Sequence, residues 1–274
     1  RLLTATAVRG LARRHHIKPS KALGQNFVID PNTIRRIVRL AKVSPSVRVV
    51  EIGAGLGTLS LGLVEKAKEV VAVEFDRTLL PALEEVAGDI PNLQIVSGDA
   101  LELDYQRYLG DREHEMVSNL PYNIAVPLLA RLLQEVPAIV KFVFTIQREV
   151  GERLTAGPGS RTYGAVSVLV AYHCESRILG RISPKVFWPS PGVESVIVEL
   201  TRRQAPVKES SAEIMAVVRA AFAQRRKTLR NSLAGTWGRP SSEVETILER
   251  AGIDPSSRAE ALALDEFARI AREV

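Results

Sequence analysis

The feature that most constrains the fold is an alternation of short β-branched runs with longer stretches of helical spacing over the first half of the 274-residue chain. Runs typical of buried strands occupy residues 47–52, 70–74, 93–97, 116–118 and 139–146. Helical spacing occupies roughly 57–66, 78–87 and 125–135. Strands that alternate with helices form a parallel sheet covered by helices on both faces. The sequence therefore predicts an α/β fold around a central, mostly parallel sheet.

The segments outside this alternation predict a second domain. Asp30 and Pro31 indicate a helix over about 31–42, because Asp caps helices and Pro fits their first turn. Residues 1–20 are expected to form a basic arm or short helix, 163–178 a β-rich stretch and 193–200 a further strand. The tail from about 208 is helical in pattern, with breaks at 235–240 and 252–255. We predict one domain over 1–205 and a small all-α domain over 206–274.

Charge is distributed unevenly along the chain. Residues 1–42 carry ten basic side chains against one acid, Asp30, so this segment is +9 and the remainder sums to −3 within the total of +6. A second basic cluster contains Arg225, Arg226, Lys227 and Arg230, which we expect on one helix with 226 and 230 on the same face. Such asymmetry favours a polyanionic partner. On charge alone, a solubilising basic arm explains the N-terminal cluster equally well. For the second cluster a solvated face is the alternative, but we expect these four side chains to bind a nucleic-acid backbone, because the sequence around them is otherwise slightly acidic.

The sequence also bears on compartment and metals. The single cysteine, Cys174, excludes an internal disulfide framework and offers no basis for a metal site. No apolar run approaches the roughly 18 residues that span a bilayer. We expect a cytoplasmic protein that uses no metal.

Glycines at the end of the first predicted strand indicate a cofactor loop. Gly53, Gly55 and Gly57 form the pattern G-x-G-x-G, with Glu51 two residues before the first glycine. Glycines at this position let the backbone turn tightly and approach a ligand. A dinucleotide fold prefers G-x-G-x-x-G, and a carboxylate beside the loop suits a zwitterionic amino acid better than a pyrophosphate. The pattern favours S-adenosylmethionine, whose product after methyl transfer is S-adenosylhomocysteine; the alternative is a glycine-rich turn without a ligand.

Two acids follow the next two strands. Glu74 ends the second strand, where a carboxylate accepts hydrogen bonds from ribose hydroxyls. Asp99 follows the third strand, where it is placed to accept from an adenine amine. Each alone is typical of a strand end, but the ordered set supports a nucleoside cofactor.

The segment Asn119-Leu120-Pro121-Tyr122 follows the fourth strand and fits methylation of an exocyclic amine. The adenine amine is a poor nucleophile, and hydrogen bonds accepted from its NH2 group favour a tetrahedral nitrogen. The Asn119 amide oxygen and the Leu120 carbonyl are candidate acceptors, and Pro121 fixes the backbone so that this carbonyl points inward. Tyr122 offers a face for an extruded base. The alternative is an Asn-Pro turn with a buried tyrosine.

These motifs together resemble the ribosomal RNA adenine N6,N6-dimethyltransferase family, in particular its bacterial small-subunit branch, known for kasugamycin sensitivity. The likeness extends over nearly the whole chain, including 23–28, 184–195, 222–231 and 260–267. It implies a Rossmann-like methyltransferase domain, and transfer of methyl groups to two adjacent adenosines near the 3′ end of small-subunit ribosomal RNA. The implied partner is an immature ribosomal particle, bound by a monomer with a role in subunit biogenesis.

The resemblance also implies roles for individual residues. Asn26 and Val28 correspond to residues that touch the cofactor, and Phe187 to one that helps to hold the target base. We expect Asn119 to bind the cofactor as well. Asn119 to Tyr122 and Phe187 are then the catalytic set. Val28 stands where leucine is usual, and Glu194 where aspartate is usual.

Other functions remain open on the sequence. A large-subunit adenine methyltransferase of the macrolide-resistance type shares the cofactor motifs but usually has isoleucine at the position of Leu120. A DNA adenine methyltransferase normally has Pro-Pro-Tyr after its Asp or Asn. A non-catalytic assembly factor, or the transcription-factor relative of this family, is disfavoured by the intact Asn119, Pro121 and Tyr122.

Overall fold

A computed structural model of the chain describes residues 2–274, so Arg1 of the basic arm lies outside the described residues. The strands are β1 (Phe27–Val28), β2 (Arg48–Ile52), β3 (Glu69–Glu74), β4 (Leu93–Ser97), β5 (His114–Asn119), β6 (Ile139–Gln147), β7 (Cys174–Ile182), β8 (Phe187–Trp188) and β9 (Ser195–Arg202). The helices are α1 (Ala5–Arg14), α2 (Pro31–Leu40), α3 (Thr58–Val64), α4 (Leu80–Ala87), α5 (Tyr105–Leu109), α6 (Ala125–Glu135), α7 (Arg148–Leu154), α8 (Ala165–His173), α9 (Ser211–Phe222), α10 (Leu229–Trp237), α11 (Ser241–Arg250) and α12 (Leu264–Arg272).

The seven-stranded sheet has the order β4-β3-β2-β5-β6-β9-β7. The five strands from β4 to β6 pair in parallel, and β9 pairs antiparallel to β6. This confirms the predicted α/β class with a central, mostly parallel sheet. Since parallel strands end at the same edge, the loops after β2, β3, β4 and β5 meet there.

The inner strands are apolar because both faces of the sheet are covered. Val49, Val50, Val70 and Val71 on β2 and β3 are all buried, as is Phe142 on β6. Strands of this kind read as continuous hydrophobic runs rather than alternating ones. This explains why the strand predictions agree with the structure to within about two residues at each end.

A two-stranded ribbon, β1 with β8, accompanies the main sheet. Phe27 pairs with Trp188 and Val28 with Phe187 in antiparallel register. The chain then enters α2, whose cap is Asp30 as expected: its carboxylate accepts a hydrogen bond from the backbone N–H of Thr33 at 2.8 Å. The ribbon ties residues near the N-terminus to the segment that precedes β9.

The chain divides into two compact units. The first comprises residues up to Gly151 together with Arg177–Thr201, and the second comprises Glu152–Ser176 together with Arg202–Val274. The change near residue 201 lies close to the expected boundary at 205, whereas the inclusion of 152–176 in the second unit has no counterpart in the sequence prediction. The second unit contains α8 to α12 and is helical, as expected for the tail.

The prediction of a β-rich stretch over 163–178 is wrong for its first part, because residues 165–173 form α8 and β7 begins only at Cys174. The valines of this run favoured a strand. However, Val168, Leu169 and Val170 are all buried, and an apolar segment buried on every side suits a helix equally well. The Ser167 hydroxyl accepts a hydrogen bond from the Gly164 N–H at 3.1 Å, which satisfies a donor at the helix start.

The expectation that Arg225, Arg226, Lys227 and Arg230 share one helix is also wrong. Residues 223–228 form a turn between α9 and α10, closed by a hydrogen bond from the Lys227 N–H to the Gln224 carbonyl at 2.9 Å. The helix restarts at Leu229, whose N–H donates to the Ser257 carbonyl at 2.8 Å. This tertiary contact satisfies a free N–H of the first turn and overrides the local helix preference.

Candidate active site

A cavity of about 220 Å³ opens where the carboxyl ends of β2 to β5 meet. It brings together most of the cofactor residues expected from the sequence. Its lining consists of Leu23, Gly24, Gln25, Asn26, Phe27, Ile52, Gly53, Gly55, Val73, Glu74, Phe75, Asp76, Leu79, Gly98, Asp99, Ala100, Asn119, Pro121, Asn123 and Ile124.

The glycines after β2 are required by both conformation and space. Gly53 and Gly55 have φ of +78° and +59°, a region that disfavours other residues. A Cβ on Gly53 would lie 3.0 Å from the Pro121 ring, and one on Gly55 would lie 2.8 Å from Cε1 of Phe27. The backbone is therefore bare at the cavity floor, with Pro121 and Phe27 packed directly against it.

Glu74 is a buried carboxylate in the cavity wall. It is 6% exposed, and it accepts hydrogen bonds from the Gly55 N–H at 2.7 Å and from the Asp76 N–H at 2.8 Å. Burial raises the pKa of Glu74 despite these hydrogen bonds. The side chain thus joins the glycine loop to the end of β3, and its oxygens retain lone pairs for a further donor.

Glu51 and Asp99 have different surroundings. Glu51 is buried outside the cavity lining and accepts a hydrogen bond from the Ser60 hydroxyl at 2.5 Å. Its burial raises the pKa of Glu51 to about 8, with the nearby charge of Glu74 adding to the effect. Asp99 is half-buried in the cavity wall and accepts from the Leu101 N–H at 2.8 Å.

The amide of Asn119 is held on both sides. Its Nδ2 donates to the Asn26 carbonyl at 2.8 Å, and its Oδ1 accepts from the hydroxyl of Thr145. The Asn26 carbonyl can only accept, so it dictates which end of the amide is nitrogen. Because Oδ1 then faces Thr145, the buried Thr145 hydroxyl must be the donor. Oδ1 keeps a second lone pair for another hydrogen bond.

The residues after Asn119 are fixed by packing. The Leu120 side chain is buried, and its N–H donates to the Thr145 carbonyl at 3.3 Å. The Tyr122 hydroxyl is hydrogen-bonded to Oγ of the buried Ser195 at 2.8 Å, and burial raises the pKa of Tyr122. The ring of Tyr122 is half-buried and lies outside the cavity lining.

The segment before β1 is attached to this loop. Nδ2 of Asn123 donates to the Ala22 carbonyl at 3.1 Å. A Cβ on Gly24 would lie 2.9 Å from Oδ1 of Asn123, so only glycine allows this approach. Together with the Asn119–Asn26 bond, these contacts fasten residues 22–26 across the cavity.

Val28 and Phe187, which the family resemblance associates with the cofactor and the target base, do not line the cavity. Both are buried in the same hydrophobic cluster of the first unit, where they pair across the ribbon. Phe27, one residue before Val28, supplies the cavity wall instead.

Sequence reasoning missed several residues of this site. Gln25 donates through Nε2 to Oδ2 of Asp76 at 2.7 Å. Burial raises the pKa of Asp76, but hydrogen bonds from Thr78 and Gln25 outweigh burial, so the pKa lies below its ordinary value. Thr145 and Ser195 were also missed, since nothing local in the sequence links them to 119 and 122. Asp76 could have been predicted from the sequence, because it lies two residues after Glu74 at the same strand end.

The basic quartet, Arg225, Arg226, Lys227 and Arg230, lies in the second unit and splits into paired and unpaired side chains. Arg225 donates to the Arg161 carbonyl at 2.6 Å and lies 3.6 Å from Glu260. Arg230 forms an ion pair with Glu245 at 3.1 Å. Arg226 and Lys227 are exposed, and within residues 2–274 neither has an acidic partner. The positive charge available to a ligand is therefore concentrated at 226 and 227.

The described part of the chain lacks both a membrane-spanning helix and a cluster of metal ligands. No helix in it is long and apolar enough to cross a membrane. No group of three or more His, Cys, Asp or Glu side chains in residues 2–274 is arranged to hold a metal ion, and Cys174 is buried.

Comparison with known proteins identifies relatives over almost the full length. The sequence is 47% identical over 277 residues to a protein of Thermobifida fusca named ribosomal RNA small subunit methyltransferase A, covering 99% of this chain and 96% of that protein. A protein of the same name from Kineococcus radiotolerans is 48% identical over 275 residues, covering 98% of this chain and 91% of the relative.

Solved structures share the fold. A dimethyladenosine transferase from Plasmodium falciparum superposes with a TM-score of 0.74 at 23% identity, covering 88% of this chain and 94% of that one. The 23S rRNA methyltransferase ErmE gives a TM-score of 0.68 at 26% identity, covering 90% and 99%. The family model described as ribosomal RNA adenine dimethylase matches residues 16–274. The chain therefore belongs to the ribosomal RNA adenine dimethylase family.

Proposed function

We propose that the protein transfers methyl groups from S-adenosylmethionine to N6 of two adjacent adenosines near the 3′ end of small-subunit ribosomal RNA, giving N6,N6-dimethyladenosines. The observation that carries this proposal is the Asn119 amide at the cavity edge, which is locked with its oxygen oriented by Thr145 and its nitrogen bound to Asn26. Family membership and the small-subunit names of relatives at 47–48% identity support the choice of substrate.

The residues that line the cavity suit the chemistry of S-adenosylmethionine. The bare backbone at Gly53 and Gly55 leaves room that any Cβ would fill. Glu74 suits the ribose hydroxyls and Asp99 suits an adenine amine, and Asn26 and Asn119 also line the cavity. We assign Val28 only an indirect role, since it supports the ribbon beneath Phe27. When bound, the cofactor supplies an electrophilic methyl group.

The protein's own groups prepare the adenine nitrogen. The free lone pair of Asn119 Oδ1 and the Leu120 carbonyl accept hydrogen bonds from the N6 amine, which directs the nitrogen lone pair away from the ring. Pro121 restricts the backbone that directly follows the Leu120 carbonyl, and its ring packs against Gly53. Tyr122, anchored through Ser195, presents an aromatic face to the extruded base. Phe187 supports this arrangement from the ribbon core.

Electrostatics supply the affinity for RNA. Exposed Arg226 and Lys227 contact phosphates, with Arg225 and Arg230 shaping the turn around them. We infer that 1–205 provides the methyltransferase domain with its basic N-terminal arm, and 206–274 an RNA-binding domain to which the helical segment 152–176 adds. The substrate is an immature small subunit, and the protein acts as a monomer in the cytoplasm during subunit assembly.

The test is methylation of defined substrates. Purified protein with labelled S-adenosylmethionine is expected to methylate small subunits that lack this modification, at two adjacent adenosines mapped by mass spectrometry. Asn119→Ala is expected to retain cofactor and RNA binding but to lose most turnover. Label in large-subunit RNA or duplex DNA instead would overturn the substrate assignment, and normal turnover of Asn119→Ala would remove that residue from its role.

A further inference from the structure

A second groove lies on the first compact unit, outside the cofactor cavity. It has a volume of about 410 Å³ and runs between α1 and the indole of Trp188. Its lining consists of Thr6, Arg9, Ala12, Arg13, Ile17 and Trp188. None of these residues has a part in the chemistry described above.

The groove carries positive charge that the protein leaves unneutralised. Arg9 and Arg13 are four residues apart on α1, so they share one face about 6 Å apart along the axis. Both are exposed, and neither has an acidic partner within residues 2–274. The neighbouring Arg14 is different, since it pairs with Glu85, which also binds His15 at 2.5 Å.

The remaining walls are apolar and aromatic. Ala12 and Ile17 are buried beneath the groove, and Trp188 is half-buried at its side. An aromatic face next to two arginines suits a single-stranded nucleotide, because the base stacks on the ring while the guanidiniums bind phosphate. No carboxylate lines the groove to oppose an anion.

The groove adjoins the cofactor cavity. The Trp188 and Phe27 rings are in contact, with centroids 6.1 Å apart and an interplanar angle of 36°. Phe27 in turn lines the cofactor cavity and covers Gly55. One aromatic ring, Phe27, therefore separates the groove from the cavity proposed to hold the cofactor, next to which the target adenosine must lie to receive the methyl group.

We propose that this groove binds a nucleotide flanking the target adenosine, with its base against Trp188 and its phosphate at Arg9 and Arg13. The inference rests on the proposed function, because it takes RNA as the substrate. It assigns α1 a specific contact with an unpaired nucleotide, in place of a diffuse attraction to the polyanion.

Tryptophan fluorescence provides a direct test. The chain contains two tryptophans, and Trp237→Phe leaves Trp188 as the only one, which is excited selectively over the tyrosines at long wavelength. Titration of this variant with an RNA hairpin that carries two adjacent adenosines in its loop is expected to quench Trp188 and shield it from acrylamide. RNA binding without a change in Trp188 emission would refute the proposal that the groove binds a nucleotide.

Matched charge variants test the phosphate contact. Arg9→Gln with Arg13→Gln is expected to weaken binding of the hairpin about tenfold and to reduce the salt slope by about two. Arg14→Gln, on the same helix but paired with Glu85, is the control and is expected to change affinity less than twofold. If the loss of affinity per removed charge were equal for the Arg9/Arg13 double variant and for Arg14→Gln, the arginines of the groove would contribute only non-specific attraction.

Stacking is tested by pairing protein and RNA changes. Trp188→Ala is expected to weaken binding about tenfold, and one abasic position in the hairpin loop should weaken binding of the unmodified protein but not of this variant. Trp188→Tyr should restore most of the affinity, and unchanged cofactor binding by calorimetry checks the fold. If no position shows this coupling, the proposal fails. Absence of methyl transfer to small-subunit RNA refutes instead the proposed function, since these titrations require RNA binding alone.

Discussion

The hydrogen bond from Thr145 to Asn119 provides the sharpest test of the proposed chemistry. Thr145 lies opposite Asn119 in the parallel β5–β6 register, and its side chain is fully buried. Thr145→Val removes the hydroxyl but keeps the shape, so no cavity forms. The Asn119 amide then loses the contact that orients its oxygen, while its nitrogen stays on the Asn26 carbonyl. Thr145 is a positioning residue in this scheme.

The size of the effect follows from the lost hydrogen bond. An acceptor left without its buried donor costs about 1–3 kcal/mol. Expressed fully in the transition state, this corresponds to roughly a five- to 150-fold lower rate. Because one side of the amide remains bound, we expect kcat to fall about tenfold, with KM for RNA and the affinity for S-adenosylmethionine changed less than about threefold.

Single-turnover methylation of unmodified small subunits, with labelled cofactor, measures this rate. Thr145→Ser keeps the hydroxyl and is expected to restore turnover to within about twofold. Wild-type turnover in a folded Thr145→Val protein would refute the reasoning. So would a Thr145→Ser protein as slow as the valine variant, because the methyl group rather than the hydroxyl would then matter.

Three further predictions concern stability, the cofactor and RNA. Burial raises the pKa of Glu51 to about 8 from an ordinary 4.5, so the folded state holds a proton that the unfolded chain releases, and stability should fall as pH rises through this window and level off above it. Glu51→Gln should flatten the dependence of the free energy of unfolding on pH, measured by urea unfolding at pH 5, 7 and 9. Parallel pH profiles for the variant and the unmodified protein would contradict the assignment of this dependence to Glu51. Gly55→Ala, with φ +59° and Phe27 2.8 Å from the new Cβ, should weaken cofactor binding at least tenfold in calorimetry and cost about 1–2 kcal/mol of stability, whereas Gly157→Ala, which meets nothing within 4 Å, should change neither. Arg226→Gln with Lys227→Gln should reduce the slope of log affinity for RNA against log salt by about two. Arg230→Gln should change this slope less, because Arg230 is already paired with Glu245. A slope in the double variant equal to that of the unmodified protein would show that the turn does not bind RNA.

The sequence alone determined the class of fold, and it grouped most of the candidate cofactor residues that the cavity brings together. Buried parallel strands are continuous apolar runs, so their positions are visible without a structure. Gly53, Glu74 and Asp99 could be grouped because parallel strands deliver their carboxyl ends to one edge, whatever the details of packing. Asn119 was predictable for the same reason.

Tertiary structure decided what local pattern cannot encode. The run 165–173 suits a strand or a buried helix, and only the folded structure shows that it forms α8. The turn at 223–228 ends where the N–H groups of Leu229 and Arg230, at the start of α10, donate to the carbonyls of Ser257 and Pro255, 28 and 25 residues further along the chain. Thr145, Ser195 and the Trp188 groove depend on contacts between distant segments, set by strand register and by the β1–β8 ribbon. Strand register and long-range hydrogen bonds are properties of the folded chain, so the roles of these residues can be assigned only from the tertiary structure.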